Sequence, residues 1–266
     1  MPKPLPHAGR YDEAMAVHIQ PIELSMPGFV AARISSDVPY VGLKEWFGIV
    51  RIEQGHSQFW MRGRTWTGSP GSVLIQQPGD VHRDVVRDGS ITYQLVRFPA
   101  EVAERVADNV RLQACLAGDD ERAAAFHRLH DAVAANADRL TLECIVSEAV
   151  AALTATRESR SELTRPVRRA LAMIRERLTE TWTLDDLAQY AGLDKFHLCR
   201  AFRAQVGMPP HAYLIQLRIL HAKELLAAGA RPKDIAPRVG LYDQSQLNRH
   251  FRRIVGMTPG QFARRV

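Results

Sequence analysis

The chain has 266 residues, enough for two domains with separate cores. Three scattered cysteines, Cys115, Cys144 and Cys199, form no Cys-x-x-Cys pair, which argues against a disulfide framework and a structural zinc site. The net charge of +6 conceals two opposed parts: residues 163–266 carry 18 Lys/Arg against 8 Asp/Glu, and the rest is net acidic. The basic part is the expected polyanion binder. No run approaches the roughly eighteen consecutive apolar residues of a membrane helix, and Met1 to Arg10 is Pro-rich without a hydrophobic signal core, so a cytoplasmic protein with no membrane partner is expected.

Residues 17–98 read as strands: β-rich or alternating runs at 46–52, 58–62, 73–76 and 91–98 are separated by Pro and Gly. Turns are expected at Pro27-Gly28, Gly55-His56, Gly63, Gly68 to Gly71 and Pro78-Gly79. From Ala100 to about Arg157 the period becomes helical, with Val102/Val106, Phe126/Leu129/Val133 and Leu142/Ile145/Ala149/Leu153 as apolar stripes. These stripes need a partner, either the β domain or a second subunit. Residues 158–164 are polar and read as a linker.

Beyond it, Val167, Leu171, Ile174 and Leu178 mark an amphipathic helix, and Thr183 with Asp186 has the spacing of a capping box. The residues from Asp194 to Pro210 then recur from Asp243 to Pro259 at an offset of 49. The echo continues upstream at an offset of 48, where Asp186-Leu187-Ala188 answers Asp234-Ile235-Ala236; the extra Tyr242 shifts the frame. Each copy reads as a short helix, a Gly-containing turn and a second helix opened by Asp and closed by Gly, the outline of a helix-turn-helix. A longer helix through Tyr213, Leu217 and Leu220 lies between the copies, which makes seven helices in all. Pro237 removes a backbone donor from the first helix of the second unit and should bend it.

The second helix of each unit has two faces. Leu198, Phe202 and Val206, and their counterparts Leu247, Phe251 and Val255, form apolar stripes that must face a core. Opposite lie Phe196, His197, Cys199, Arg200 and Arg203 in the first copy, and Gln244, Ser245, Asn248, Arg249 and Arg252 in the second. Arg bonds guanine bidentately, Asn and Gln match adenine, and Ser or an aromatic meets a phosphate or a thymine methyl. Arg203 and Arg252, a turn further along, suit phosphates. These ten residues are the expected contacts to double-stranded DNA.

Leu187-Ala188 with Gly192, Leu198-x-Arg200-x-Phe202-Arg203, Gly207 with Pro210 and Tyr213, then Arg218, Ala222 and Leu225-Leu226 carry a resemblance to the AraC/XylS family of bacterial transcription regulators. The second unit adds Asp234-Ile235-Ala236, Val239-Gly240-Leu241, Gln244-Ser245, Arg249-x-Phe251-Arg252 and Gly256-x-Thr258-Pro259. The resemblance implies that both units of one chain enter successive major grooves. More weakly, Gly71, Pro78-Gly79 and His82 resemble the second motif of the cupin-type sensor attached to many such regulators. The first motif is reduced to His56-Ser57-Gln58, two ligands short, so no metal and no cofactor is expected.

The resulting fold class is α+β: an N-terminal cupin-like β-sandwich or barrel at 11–99, a helical dimerisation segment at 100–157, and an all-α seven-helix domain at 163–266 with helix-turn-helix units at 184–206 and 232–255. Trp46, Phe59, Trp60, Arg62, Arg64, Trp66, His82 and Tyr93 are the candidate effector-binding residues, aromatics for contact area and Arg or His as polar anchors. The expected function is an effector-controlled, sequence-specific transcription regulator, a homodimer that contacts RNA polymerase if it activates, and not an enzyme. The alternative is a cupin-type metal-dependent enzyme with a helical appendage.

Overall fold

A computed structural model describes residues 17–102, 111–158 and 163–266 of the chain. There are two compact units, Glu13–Ser161 and Glu162–Val266. Residues 11–16 of the expected sensor, Val106 and residues 159–162 of the expected linker lie outside the described residues.

The first unit is built on an eight-stranded antiparallel sheet in the order β1-β2-β7-β4-β6-β9, with β3 added to β7 and β5 to β4. The strands are β1 (Val17–Ile22), β2 (Val30–Ser36), β3 (Val41–Leu43), β4 (Gly48–Met61), β5 (Arg64–Gly68), β6 (Val73–Gln76), β7 (Val81–Arg97), β8 (Arg111–Leu112) and β9 (Cys115–Leu116); β10 (Arg157–Glu158) pairs with β8. The pair expected to turn at Gly55-His56 lies inside the long strand β4, where its pairing with β7 shifts register between Ile52 and His56. Gly55 has φ +86°, and a Cβ there would stand 2.6 Å from the Ser90 carbonyl oxygen, so the glycine makes a bulge that bends the strand rather than ending it. The reversal comes at Arg62 (φ 55°) and Gly63 (φ 89°), two consecutive left-handed residues that match the twist of a two-residue hairpin.

Period-two alternation gives the sheet two apolar faces. Val50, Ile52, Phe59, Met61, Leu74 and Ile91 pack together on one. Ile49, Val73, Ile75, Val96 and Phe98 belong to the other, covered by α1 (Ala124–Ala134) and α2 (Arg139–Ala152). Phe126, Leu129 and Val133 of α1, and Leu142, Ala149 and Leu153 in and just after α2, are buried in that layer. The helical stripes therefore find their partner in the sheet, and α2 leaves Leu140 and Cys144 exposed on its other side.

The second unit holds seven α-helices: α3 (Arg165–Glu176), α4 (Leu184–Ala191), α5 (Lys195–Val206), α6 (Pro210–Ala227), α7 (Ile235–Arg238), α8 (Gln244–Val255) and α9 (Pro259–Ala263). Thr183 and Asp186 form the capping box of α4, which stops at Gly192 in the left-handed conformation. Pro237 does not bend a helix interior. The helix opens late, after a 3-10 turn at Pro232–Asp234, so that Pro237 falls in its first turn, where its missing N–H has no intrahelical acceptor to lose. The cost is length, four residues against eight in α4, while Ile235 and Ala236 stay buried.

Helix α6 links the two helix-turn-helix units. Its Tyr213 meets Phe202 of α5 edge-on, with ring centroids 5.8 Å apart. Ile215, Ile219, Ala222 and Leu226 pack with Leu247, Phe251 and Val255 of α8. Arg218 is buried on the same helix and donates to the carbonyls of Leu178 and Glu180, each at 2.8 Å, tying α6 to the segment after α3. Gly240 closes α7 at φ +76°, and a Cβ there would lie 2.6 Å from the Thr179 carbonyl oxygen. Gly240→Ala should cost about 1–3 kcal/mol through forced left-handed geometry alone, more with the clash, and should lower the urea midpoint of the helical unit.

Candidate functional site

In each duplicated unit, the buried stripe fixes which face is presented to solvent. Leu198 and Phe202 of α5 and Leu247 and Phe251 of α8 are fully buried, with Val206 and Val255 beside them. Of the opposite faces, Phe196 is 70% exposed; His197, Arg200 and Arg203 are exposed and Cys199 is half-buried. On α8, Gln244, Ser245, Arg249 and Arg252 are exposed and Asn248 half-buried. None of these four Arg side chains is in an ion pair among the described residues.

Both helices start at an Asp that orients their first turn. Asp194 accepts from the Phe196 and His197 N–H groups at 3.0 and 2.9 Å, bonds that hold its carboxyl below the usual range. Asp243 accepts from the Gln246 N–H at 2.7 Å. Tyr242, just ahead of it, is 94% exposed, and its N–H donates to Gln246 Oε1. Tyr242 is not among the ten residues expected to face DNA. Its signal was the one-residue shift in the repeat, which marks a residue without a counterpart in the first unit.

The eight candidate effector residues do not form one site. Phe59, Trp66 and Tyr93 meet on the inner face of the sheet, and His82 stacks on Phe59 with centroids 4.9 Å apart. His82 Nε2 stands 3.0 Å from Asp84 Oδ1, while its buried Nδ1 has no partner among the described residues. Asp84 also accepts from Arg87 and from the Tyr40 N–H. Burial pushes His82 down to about 4 and Tyr93 up to about 12, and Lys44 nearby is lowered to about 8 by the same cause.

The remaining candidates lie elsewhere. Trp60 alternates to the face opposite Phe59 and pairs across strands with Arg83. The guanidinium of Arg62 is held by Asp80 and by the Ile75 and Leu112 carbonyls, which makes it the lock of its hairpin. Arg64 lies over Trp66 and pairs with Glu158 near the surface. Trp46 is half-buried under Arg97, with 4.4 Å between guanidinium and ring. His56 is exposed on β4 opposite Asp88, whereas His82 lies opposite Met61, roughly 16 Å further along the strand at about 3.3 Å per residue. The two histidines of the cupin-like motifs are thus not brought together.

Residues 187–265 match the model of a helix-turn-helix domain, and residues 39–150 that of an AraC-like ligand binding domain. The chain is similar to YbfI of Bacillus subtilis, named an uncharacterized helix-turn-helix-type transcriptional regulator, with 27% identity across 76% of this chain and 79% of that one. It is 37% identical to the transcriptional activator AarP of Providencia stuartii, across 35% of this chain and 69% of AarP. The chain belongs to the AraC family of transcription regulators. Among solved structures, the DNA-binding domain of AdpA in complex with a target DNA is 29% identical over 38% of this chain and 92% of that chain, with a TM-score of 0.37.

As an AraC-family regulator the protein is a sequence-specific DNA-binding protein with an N-terminal ligand-binding domain, not an enzyme. Its N-terminal unit contains a groove of about 760 Å³, and none of the eight candidate effector residues lines it. Gln94, Arg51 and Arg33 do, and none of them is among the eight candidates. Their signal was a polar residue, Gln94, at a core-parity position in β7.

Behind Gln94 lies His130, fully buried, its Nδ1 2.8 Å from Gln94 Oε1. Burial pushes His130 down to about 3, so folding holds both His82 and His130 neutral. With both folded values below the unfolded 6.5, the unfolded chain takes up the protons first. Stability present above pH 6.5 should therefore fall as pH drops towards 4 and continue falling towards 3. Urea unfolding of the N-terminal unit across this window should show the decline, and His130→Gln should flatten it.

Proposed function

We propose that this regulator reads DNA through the paired faces of α5 and α8, with Arg200 and Arg249 on base edges and Arg203 and Arg252 on phosphates. Phe196, His197 and Cys199 accompany the first pair, and Gln244, Ser245 and Asn248 the second. The observation that carries this reading is the duplication: two helices with the same buried stripe present exposed Arg at the same positions. A solvated basic surface gives no reason for such matched placement. The N-terminal residues 11–99 act as the sensor, with Phe59, Trp66, His82 and Tyr93 forming the inner effector-contacting set. Residues 100–157 mediate association into a homodimer, a role supported by Leu140, 69% exposed on the outer side of α2. In an activating complex RNA polymerase is the further partner, and the compartment is the cytoplasm. Effector acts by binding one arrangement of sensor and reader more tightly than another.

The test is selection of genomic DNA fragments by the purified protein, which should enrich a motif with two elements about one helical turn apart. Failure to enrich any fragment at low salt would overturn the reading. On the selected fragment, Arg200→Ala and Arg249→Ala should each cost about 1–3 kcal/mol of discrimination at one base position. Arg203→Ala and Arg252→Ala should weaken all sequences alike and reduce the salt slope by about one each.

A further inference from the structure

On the face of the sheet that the helices cover, a polar row runs beside the apolar core. Gln20 pairs with Arg33, Arg33 with Gln94, and Gln94 with Arg51, so β1, β2, β7 and β4 set four polar side chains in one row. Directly paired residues share a face, and neighbouring strands lie about 4.8 Å apart. The row therefore spans roughly 14 Å. It forms one wall of the 760 Å³ groove, and His127 and Ala134 of α1 contribute another. That volume is in the range of small-molecule sites.

Gln20 and Arg33 are exposed and Arg51 is half-buried, so Gln94 is the member of the row that lies in the packed layer, where a polar group is costly unless something satisfies it. Gln94 is 1% exposed, and the one hydrogen bond of its side chain among the described residues is from His130 to Oε1. With His130 neutral, its Nδ1–H donates to that oxygen, which turns the two amide N–H donors of Gln94 away from the helix. They have no acceptor among the described residues. Beside them, the Arg51 side chain is 17% exposed, while its counterion Asp131 is 68% exposed and 2.5 Å away. The cation belongs to the groove and its partner to the rim. Arg33 on the other flank pairs with Glu53.

We propose that this groove binds a small carboxylate, its oxygens taken by Arg51 and the Gln94 amide, with Asp131 displaced from Arg51. The ligand supplies the acceptor that the Gln94 amide lacks, and the exposed Asp131 keeps Arg51 compensated until it arrives. A guanidinium and an amide side by side suit the two oxygens of a planar carboxylate. The site lies on the opposite face of the sheet from Phe59 and His82, and rests on the reading that the N-terminal unit takes a small molecule.

The test is calorimetric titration of the full chain, without DNA, with benzoate, hexanoate and succinate, their uncharged amides and inorganic phosphate. At least one acid should bind saturably where its amide does not. Arg51→Gln should weaken that acid about tenfold or more, the scale of one lost charge-assisted hydrogen bond. Asp131→Asn removes the negative charge that competes for Arg51, so it should tighten the acid about threefold, a gain of roughly RT ln 3. Asp131→Asn keeps the proposal testable if Arg51→Gln fails to fold. No binding by any of the three acids, binding unchanged in Asp131→Asn, or preference for phosphate overturns the proposal. An acid that binds as described yet leaves affinity for the selected DNA fragment unchanged leaves the site standing and sinks its regulatory role.

Discussion

Two helices of twelve residues, α5 and α8, must each bury one apolar stripe, and the organisation of the C-terminal unit follows from that. Burying a Phe or Leu side chain is worth about 1.5–3 kcal/mol, and each stripe has three large apolar residues. No alternative orientation recovers that free energy, because turning either helix over would put Arg200, Arg203, Arg249 and Arg252 into the core without partners. The hydrophobic effect thus aims the basic faces outward, and the Asp caps decide where each helix begins. Helix α6 then makes one body of the two units, with Tyr213 against α5 and Ile215 through Leu226 against α8. A spacing carried by a continuous helix is stiff, which is what reading two successive grooves requires.

The sensor unit works by a different economy. Its sheet has two apolar faces, so the buried strand positions are divided between two layers. On the inner face, His82, Asp84, Arg87 and Lys44 form a polar group among aromatics; on the outer face, Gln94 and His130 form another under α1. Both keep a histidine neutral far below its usual range and leave one ring nitrogen without a partner among the described residues. Well-packed cores rarely tolerate such groups without a reason. Their presence on both faces agrees with a domain whose family role is to take up a ligand.

The duplication also shows how two copies of one plan diverge. The first unit has an eight-residue scaffold helix, whereas Pro237 shortens the second to four, and Tyr242 adds a residue to its turn. The buried positions do not register either change. Ile235, Ala236, Leu241 and Leu247 remain in the core, because the insertion falls in a turn and the proline in a first helical turn, the two places where the backbone ladder has nothing to lose. The second head therefore keeps its buried frame while its solvent-facing edge is free to differ.

The sequence by itself determined everything that depends on local periodicity: seven helices, the two buried stripes, the capping box at Thr183, the Asp starts and Gly stops, and the β-then-α order of the chain. These are short-range properties, settled within a few turns of backbone. It misplaced Gly55-His56 as a turn because a bulge and a turn use the same residue types, and only the long partner strand β7 distinguishes them. It grouped Trp60 with Phe59 and His82 because composition cannot say which side of a sheet a residue faces; strand parity and register decided that. The row of Gln20, Arg33, Gln94 and Arg51 was invisible for the same reason. Four residues up to 74 positions apart in the chain become neighbours only when four strands pair in one register, and that pairing is a property of the tertiary structure alone.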